Sequence, residues 1–183
     1  MPISVESRRR RVAGIMRDHP GAEILDVTSK GPDPWVRLSP FYPHGGIPVP
    51  MSPGVTGASV EGVWQALKVF ANADVDLATL AVTGMKGLKR TVRRYGPVLG
   101  HRAGVAGTEL LDYRRARRDI YLPAYRWMLE HRARAEVARL AALAARRPVV
   151  LLDYNTNGDV DDLSRPLSHA ALIARHVDGA WPA

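Results

Sequence analysis

The sequence predicts an α+β fold, predominantly helical with a few short strands, in one domain spanning residues 1–183. Three observations point to it. Residues 108–146 are strongly helical in pattern, "VVLLDY" (149–154) is a short apolar run of the kind that forms a buried strand, and "AEILDVTS" (22–29) alternates and carries β-branched residues. With 183 residues, 46% of them hydrophobic and 24% charged, the chain is ample for one cored domain and short for two.

Taken in order, residues 5–17 read as a basic helix stopped by Pro20 and Gly21. The strand over 22–29 follows, then a "GPDP" turn and a short strand or extended segment in "WVRLSPFYP". Residues 40–57 are rich in Pro, Gly and Ser and lack periodicity, so they form a loop, and one of this length in a compact domain tends to be functional. Ser59 is the expected N-cap of the next helix, "ASVEGVWQALKVF". A short helix near 75–82, a basic helical turn in "GMKGLKRTVRRYG" and a flexible connection in "GHRAGVAG" come next. The 108–146 helix is expected to split near Pro123, because proline inside a helix kinks or ends it. Its basic last turn complements the helix dipole, and the strand over 149–154 and a helix over 166–177 close the chain.

Composition narrows the function. A net charge of +8 and a pI near 10.3 favour polyanionic partners such as nucleic acid or phosphorylated metabolites. The absence of cysteine excludes disulfides, thiolate ligands and a cysteine nucleophile. No run is apolar for long enough to span a bilayer and no signal-like h-region opens the chain, so a cytoplasmic protein without a membrane partner is expected. There is no P-loop, GxGxxG, GxSxG or zinc spacing, and no cofactor or metal is expected. Asp153, Asn155, Asn157, Gly158 and Val160 mimic a calcium loop, but Ser164 stands where the closing carboxylate belongs. An Asx-rich turn accounts for the segment, with Asp153 or Asp159 offering a second role as a carboxylate wall of a pocket.

The stretch over 58–70 is the most informative. As a continuous helix it places Glu61, Gln65 and Lys68 within about 60° of one another, a narrow polar seam with apolar flanks on both sides. A surface helix normally shows a broad polar face, so the seam is either a thin exposed edge or the lining of a pocket walled by the 40–57 loop.

"SVEGVWQALKVF" resembles the signature of the NADAR superfamily, Thr-x-Glu-x-x-x-Gln-Ala-x-Lys-Phe. Ser59, Glu61, Gln65, Ala66 and Lys68 stand at matching spacing, with Phe70 one place late and an aromatic segment, "RLSPFYP", upstream. The family's Trp-Pro before the signature and its C-terminal Asp-x-x-Trp-Gly segment are absent. The resemblance implies a NADAR-like domain that hydrolyses an N-glycosidic bond in a phosphorylated or ADP-ribosylated nucleotide, free or within nucleic acid. Glu61 and Lys68 are then catalytic, and Phe41, Tyr42, Trp64, Gln65, Asp153 and Asp159 bind substrate. The alternative is a noncatalytic protein that binds nucleic acid or ADP-ribose through its basic surface.

Overall fold

A computed structural model describes residues 3–182. Its regular elements are, in chain order, β1 (Ile3–Ser7), α1 (Val12–Asp18), β2 (Glu23–Asp26), β3 (Ile47–Pro48), β4 (Thr56–Gly57), α2 (Val60–Leu67) and β5 (Lys68–Phe70). There follow α3 (Val92–Tyr95), β6 (Val98–Arg102), β7 (Leu110–Leu111), α4 (Tyr113–Ala116), α5 (Leu122–His131), α6 (Arg134–Ala144), β8 (Val149–Asp153) and α7 (His169–Val177). The chain is thus a mixture of helices with a few short strands. No helix among the described residues is long and apolar enough to cross a membrane.

The contacts divide the chain into two compact units, residues 1–39 with 133–183, and residues 40–132. The first, the sheet unit, is built on a parallel sheet of order β1-β8-β2, with β8 buried along its whole length. A central parallel strand has both faces covered, so its run of five residues, Val-Val-Leu-Leu-Asp, has no alternating polar side. Ile15 of α1 packs on Val150 and Leu152, with Ala22 and Ile24 beside them.

In the second, the helix-and-hairpin unit, β5, β6 and β7 form an antiparallel sheet and β3 pairs with β4. Helix α2 is held at its start by Ser59, whose hydroxyl accepts from the Gly62 N–H. It packs on α5, whose Tyr125, Met128 and Leu129 are fully buried.

Several elements depart from the sequence-based reading, each through a partner distant in sequence. Residues 3–7 are a strand rather than the start of a helix, because β8 supplies a parallel partner from Ile3 to Ser7; the helix begins only at Val12. "WVRLSPFYP" forms a 3-10 turn over Trp35–Leu38 rather than a strand, with Trp35, Val36 and Leu38 buried. "GHRAGVAG" is not a flexible connection at its start: Gly100, His101 and Arg102 lie in β6. Pro123 does not split the long helix. It occupies the first turn of α5 after a π turn over Arg117–Tyr121, where its missing N–H is tolerated, and the break falls at Ala133 instead.

Gly100 sits at φ 155°, and a Cβ there would lie 2.4 Å from the Leu111 carbonyl oxygen, on the backbone of β7. Gly100→Ala is therefore expected to lower thermal stability by about 2 kcal/mol or more, since strained dihedrals and a backbone overlap add. A melting curve superimposable on the parent's would show that β6 and β7 are not so closely apposed.

Candidate active site

Helix α2 stops one residue earlier than its sequence pattern suggests. Lys68 is extended (φ −70°, ψ 129°) and opens β5, so the seam of Glu61, Gln65 and Lys68 is not one helical face. Glu61 and Gln65 do meet across one turn, the Gln65 amide donating to Glu61 Oε1 at 2.8 Å. Both are buried. Gln65 Oε1 in turn accepts the Arg90 backbone N–H at 3.0 Å.

Arg90 explains how the helix can end without glycine. Its Nη1 donates to the carbonyl oxygens of Gln65 (3.2 Å) and Lys68 (2.6 Å), and its Nη2 donates to that of Asp74 (2.7 Å). These are carbonyls a helix C-terminus leaves open, and a guanidinium satisfies them while carrying the charge that the helix dipole favours there. The same guanidinium lies 5.0 Å from the Phe70 ring centre and 5.1 Å from that of Tyr95.

Lys68 pairs across the antiparallel ladder with His101 of β6. Residues directly opposite in such a ladder project to the same face of the sheet, and here both line a cavity of about 390 Å³. Trp64, from the last turn of α2, and Tyr113, from the first of α4, supply its aromatic walls. Val98, Leu99 and Gly100 of β6 complete the lining. The Trp64 ring stands 3.8 Å from that of His101 and 6.1 Å from that of Tyr113. Lys68 Nζ is 5.9 Å from the Trp64 ring centre.

This setting disfavours positive charge. Burial lowers the Lys68 ammonium below its ordinary value; the Glu61 carboxylate opposes the shift, while Lys89 and Arg90 add to it. His101, 1% exposed, is pushed down to about 3, first by burial and then by the Lys68 charge. It is a neutral imidazole at physiological pH, and neither ring nitrogen has a hydrogen-bond partner. An amine with a weakened hold on its proton, set against aromatic walls, is equipped for nucleophilic addition or proton transfer.

Of the other residues expected at the site, Trp64 lines the cavity beside Lys68, whereas Glu61 and Gln65 do not form its lining. Phe41 is half-buried with Lys89 Nζ 5.5 Å from its ring centre, and Tyr42 packs against His44 with ring centres 4.7 Å apart. The 40–57 loop contributes no residue to the cavity wall.

Asp153 and Asp159 belong to the sheet unit. Asp153 Oδ2 accepts from Ser168 Oγ at 2.7 Å and from His169 Nδ1 at 3.0 Å, and Asp159 caps a turn by accepting the Asp161 N–H. In the same loop the Asn157 amide donates to the carbonyls of Asp162 and Arg165, while its oxygen accepts the Asp159 N–H. With those groups engaged and Ser164 at the closing position, calorimetry should detect no micromolar calcium binding. A micromolar affinity abolished by Asp153→Ala would refute this.

His101, Tyr113 and Arg90 were not singled out by the sequence. His101 lay in a glycine-rich stretch that reads as loop, and Tyr113 was one of several aromatic residues among arginines. Nothing local marks Arg90 as the cap of a helix that ends far upstream.

The profile of DUF6939, a family of unknown function, matches residues 7–173, so the chain belongs to that family. No curated protein and no solved structure matches the chain.

Proposed function

We propose that this DUF6939 protein is a hydrolase that cleaves the ribosyl C1–N bond of a phosphorylated or ADP-ribosylated nucleoside, with Lys68 at the reacting carbon. The observation that carries the reading is the Lys68 amine, its pKa lowered by burial, in a cavity walled by Trp64 and Tyr113. The likeness of residues 59–70 to the NADAR signature supports the same chemistry and extends the proposal to a NADAR-like fold. That likeness rests on residue spacing, and the exit of Lys68 from the helix leaves Glu61 and Gln65 bonded to each other as its support.

Cleavage of this bond builds positive charge on the sugar. In the proposed step the neutral Lys68 amine adds to C1 as the C1–N bond breaks, and the bonding pair leaves with the base nitrogen. The proton released from Nζ passes to the departing base. Water then attacks C1, releasing the sugar and regenerating the amine. Trp64 and Tyr113 offer flat faces to the base. Glu61 acts through the field it exerts on Lys68, favouring positive charge where it develops.

The test is a screen of ribosylated nucleotides for free base, read by mass spectrometry. Base release from one of them, lost on changing Lys68, supports the proposal. Tight binding of a nucleotide or nucleic acid without turnover would favour the rival, a binding protein acting through the basic surface that includes exposed Lys89, Arg93 and Arg94.

A further inference from the structure

A second cavity, of about 370 Å³, lies within the sheet unit. Its floor is apolar: Leu25 of β2, Trp35 of the 3-10 turn, and Ala142 and Leu143 of α6. Its rim is basic, formed by Arg139, Arg146 and Arg147. The single acid in the lining, Glu23, is already paired with Arg147 at 3.1 Å.

The arrangement follows from the register of α6. Glu136, Leu140 and Ala144 are the buried positions of that helix. Residues 139, 142 and 143 fall on a neighbouring stripe, and Arg146 continues it by one turn. Arg139 lies over the Trp35 ring, its guanidinium carbon 5.4 Å from the ring centre. It is thus held in place by an aromatic face rather than by an acid, with its hydrogen-bond donors still available. Arg139 and Arg146 are exposed, and neither has an ion-pair partner among the described residues. Seven residues of helix separate their Cα atoms by about 10 Å. Two arginine side chains bridge that span, so both guanidinium groups can converge on one anion.

We propose that this cavity is a binding site for a nucleoside monophosphate, a flat ring joined to one phosphate. The phosphate lies between Arg139 and Arg146, which offer the paired N–H donors that its oxygens accept. The ring lies on the Leu25, Trp35 and Leu143 floor. The volume is within the range of small-ligand pockets, and the net charge of the rim selects an anion over a neutral nucleoside. The site is independent of the cavity around Lys68.

Isothermal titration of the full-length protein with AMP tests it, with adenosine and inorganic phosphate as separate titrants. AMP should bind, and adenosine and phosphate should each bind at least about tenfold more weakly, since each lacks half of the complementary surface. The double variant Arg139→Gln, Arg146→Gln should weaken AMP by at least about tenfold with its melting temperature unchanged, because both side chains are exposed and unpaired. Lys68→Ala should leave AMP binding intact. The proposal fails if AMP does not bind at millimolar concentration, or if phosphate alone binds as well as AMP. It also fails if the double arginine variant binds AMP like the parent, or if Lys68→Ala is the change that removes binding.

Discussion

Lys68→Ala is expected to abolish base release, by at least about a hundredfold in kcat, while leaving the fold intact. The fold survives because what Lys68 gives the sheet is its backbone, paired with β6, and its amine is destabilised where it sits. A lysine whose folded pKa is depressed opposes folding at neutral pH, where the unfolded chain holds the proton at no cost. Removing the amine is therefore neutral or slightly stabilising. With a nucleophilic amine, kcat rises as pH increases toward the lowered Lys68 pKa and levels above it. Borohydride added during turnover should then trap a sugar adduct on Lys68. Glu61→Gln keeps the shape of the side chain and its bond to Gln65 but removes the negative charge that opposes the Lys68 shift. It should slow turnover severely and move the pH profile to lower pH. Normal kinetics in Lys68→Ala would end the glycosidase assignment.

Asp153→Ala should be the most destabilising single change in the sheet unit, at about 3–5 kcal/mol in urea denaturation. Asp153 is 4% exposed at the end of β8 and accepts hydrogen bonds from Ser168, His169 and the N–H groups of Tyr154 and Ala170. His169 Nε2 lies 3.0 Å from the Val27 carbonyl, which can only accept, while Nδ1 faces the carboxylate. Both ring nitrogens must then donate, so the buried ring is an imidazolium. Burial opposes that charge, but Asp153 and the Val27 carbonyl outweigh it and hold the His169 pKa above its usual value. Asp153 is likewise held below the usual carboxylate value by His169 and its hydrogen bonds, against the opposing effect of burial.

The pH dependence of stability follows from these directions. The His169 contribution is complete below pH about 6.5 and is lost as pH rises through its raised folded pKa. The Asp153 contribution is complete above pH about 3.9 and is lost as pH falls through its depressed folded pKa. His101 adds a loss on the acid side, since the unfolded chain takes up a proton below pH about 6.5 that the folded imidazole refuses until about 3. His169→Gln should flatten the alkaline limb of the stability profile. If that limb is unchanged, the imidazolium is not what links the loop to β8.

Much of the local structure was legible. The buried strand ending at Asp153, the strand at 23–26, the Ser59 cap and the helix it starts were all written in signals that act over a few residues: continuous apolar runs, a capping hydroxyl, 3.6-residue spacing. Ordering Glu61 and Gln65 on one face needed only helix geometry. What periodicity alone cannot mark is where such a helix yields to a strand. "LKVF" continues the apolar helical pattern and equally suits an extended run, and the tertiary partners decide between them. Strand β6 offers hydrogen bonds to Lys68–Phe70, and Arg90 satisfies the carbonyls that the shortened helix leaves open. The same pairing sets His101 opposite Lys68, and Trp64 and Tyr113 close over them from two helices. Residue types and short-range spacing determined that a helix bearing Glu61 and Gln65 leads into Lys68. Only strand pairing between segments far apart in sequence put that amine in an apolar cavity, because desolvation depends on which surfaces meet and no local pattern encodes that.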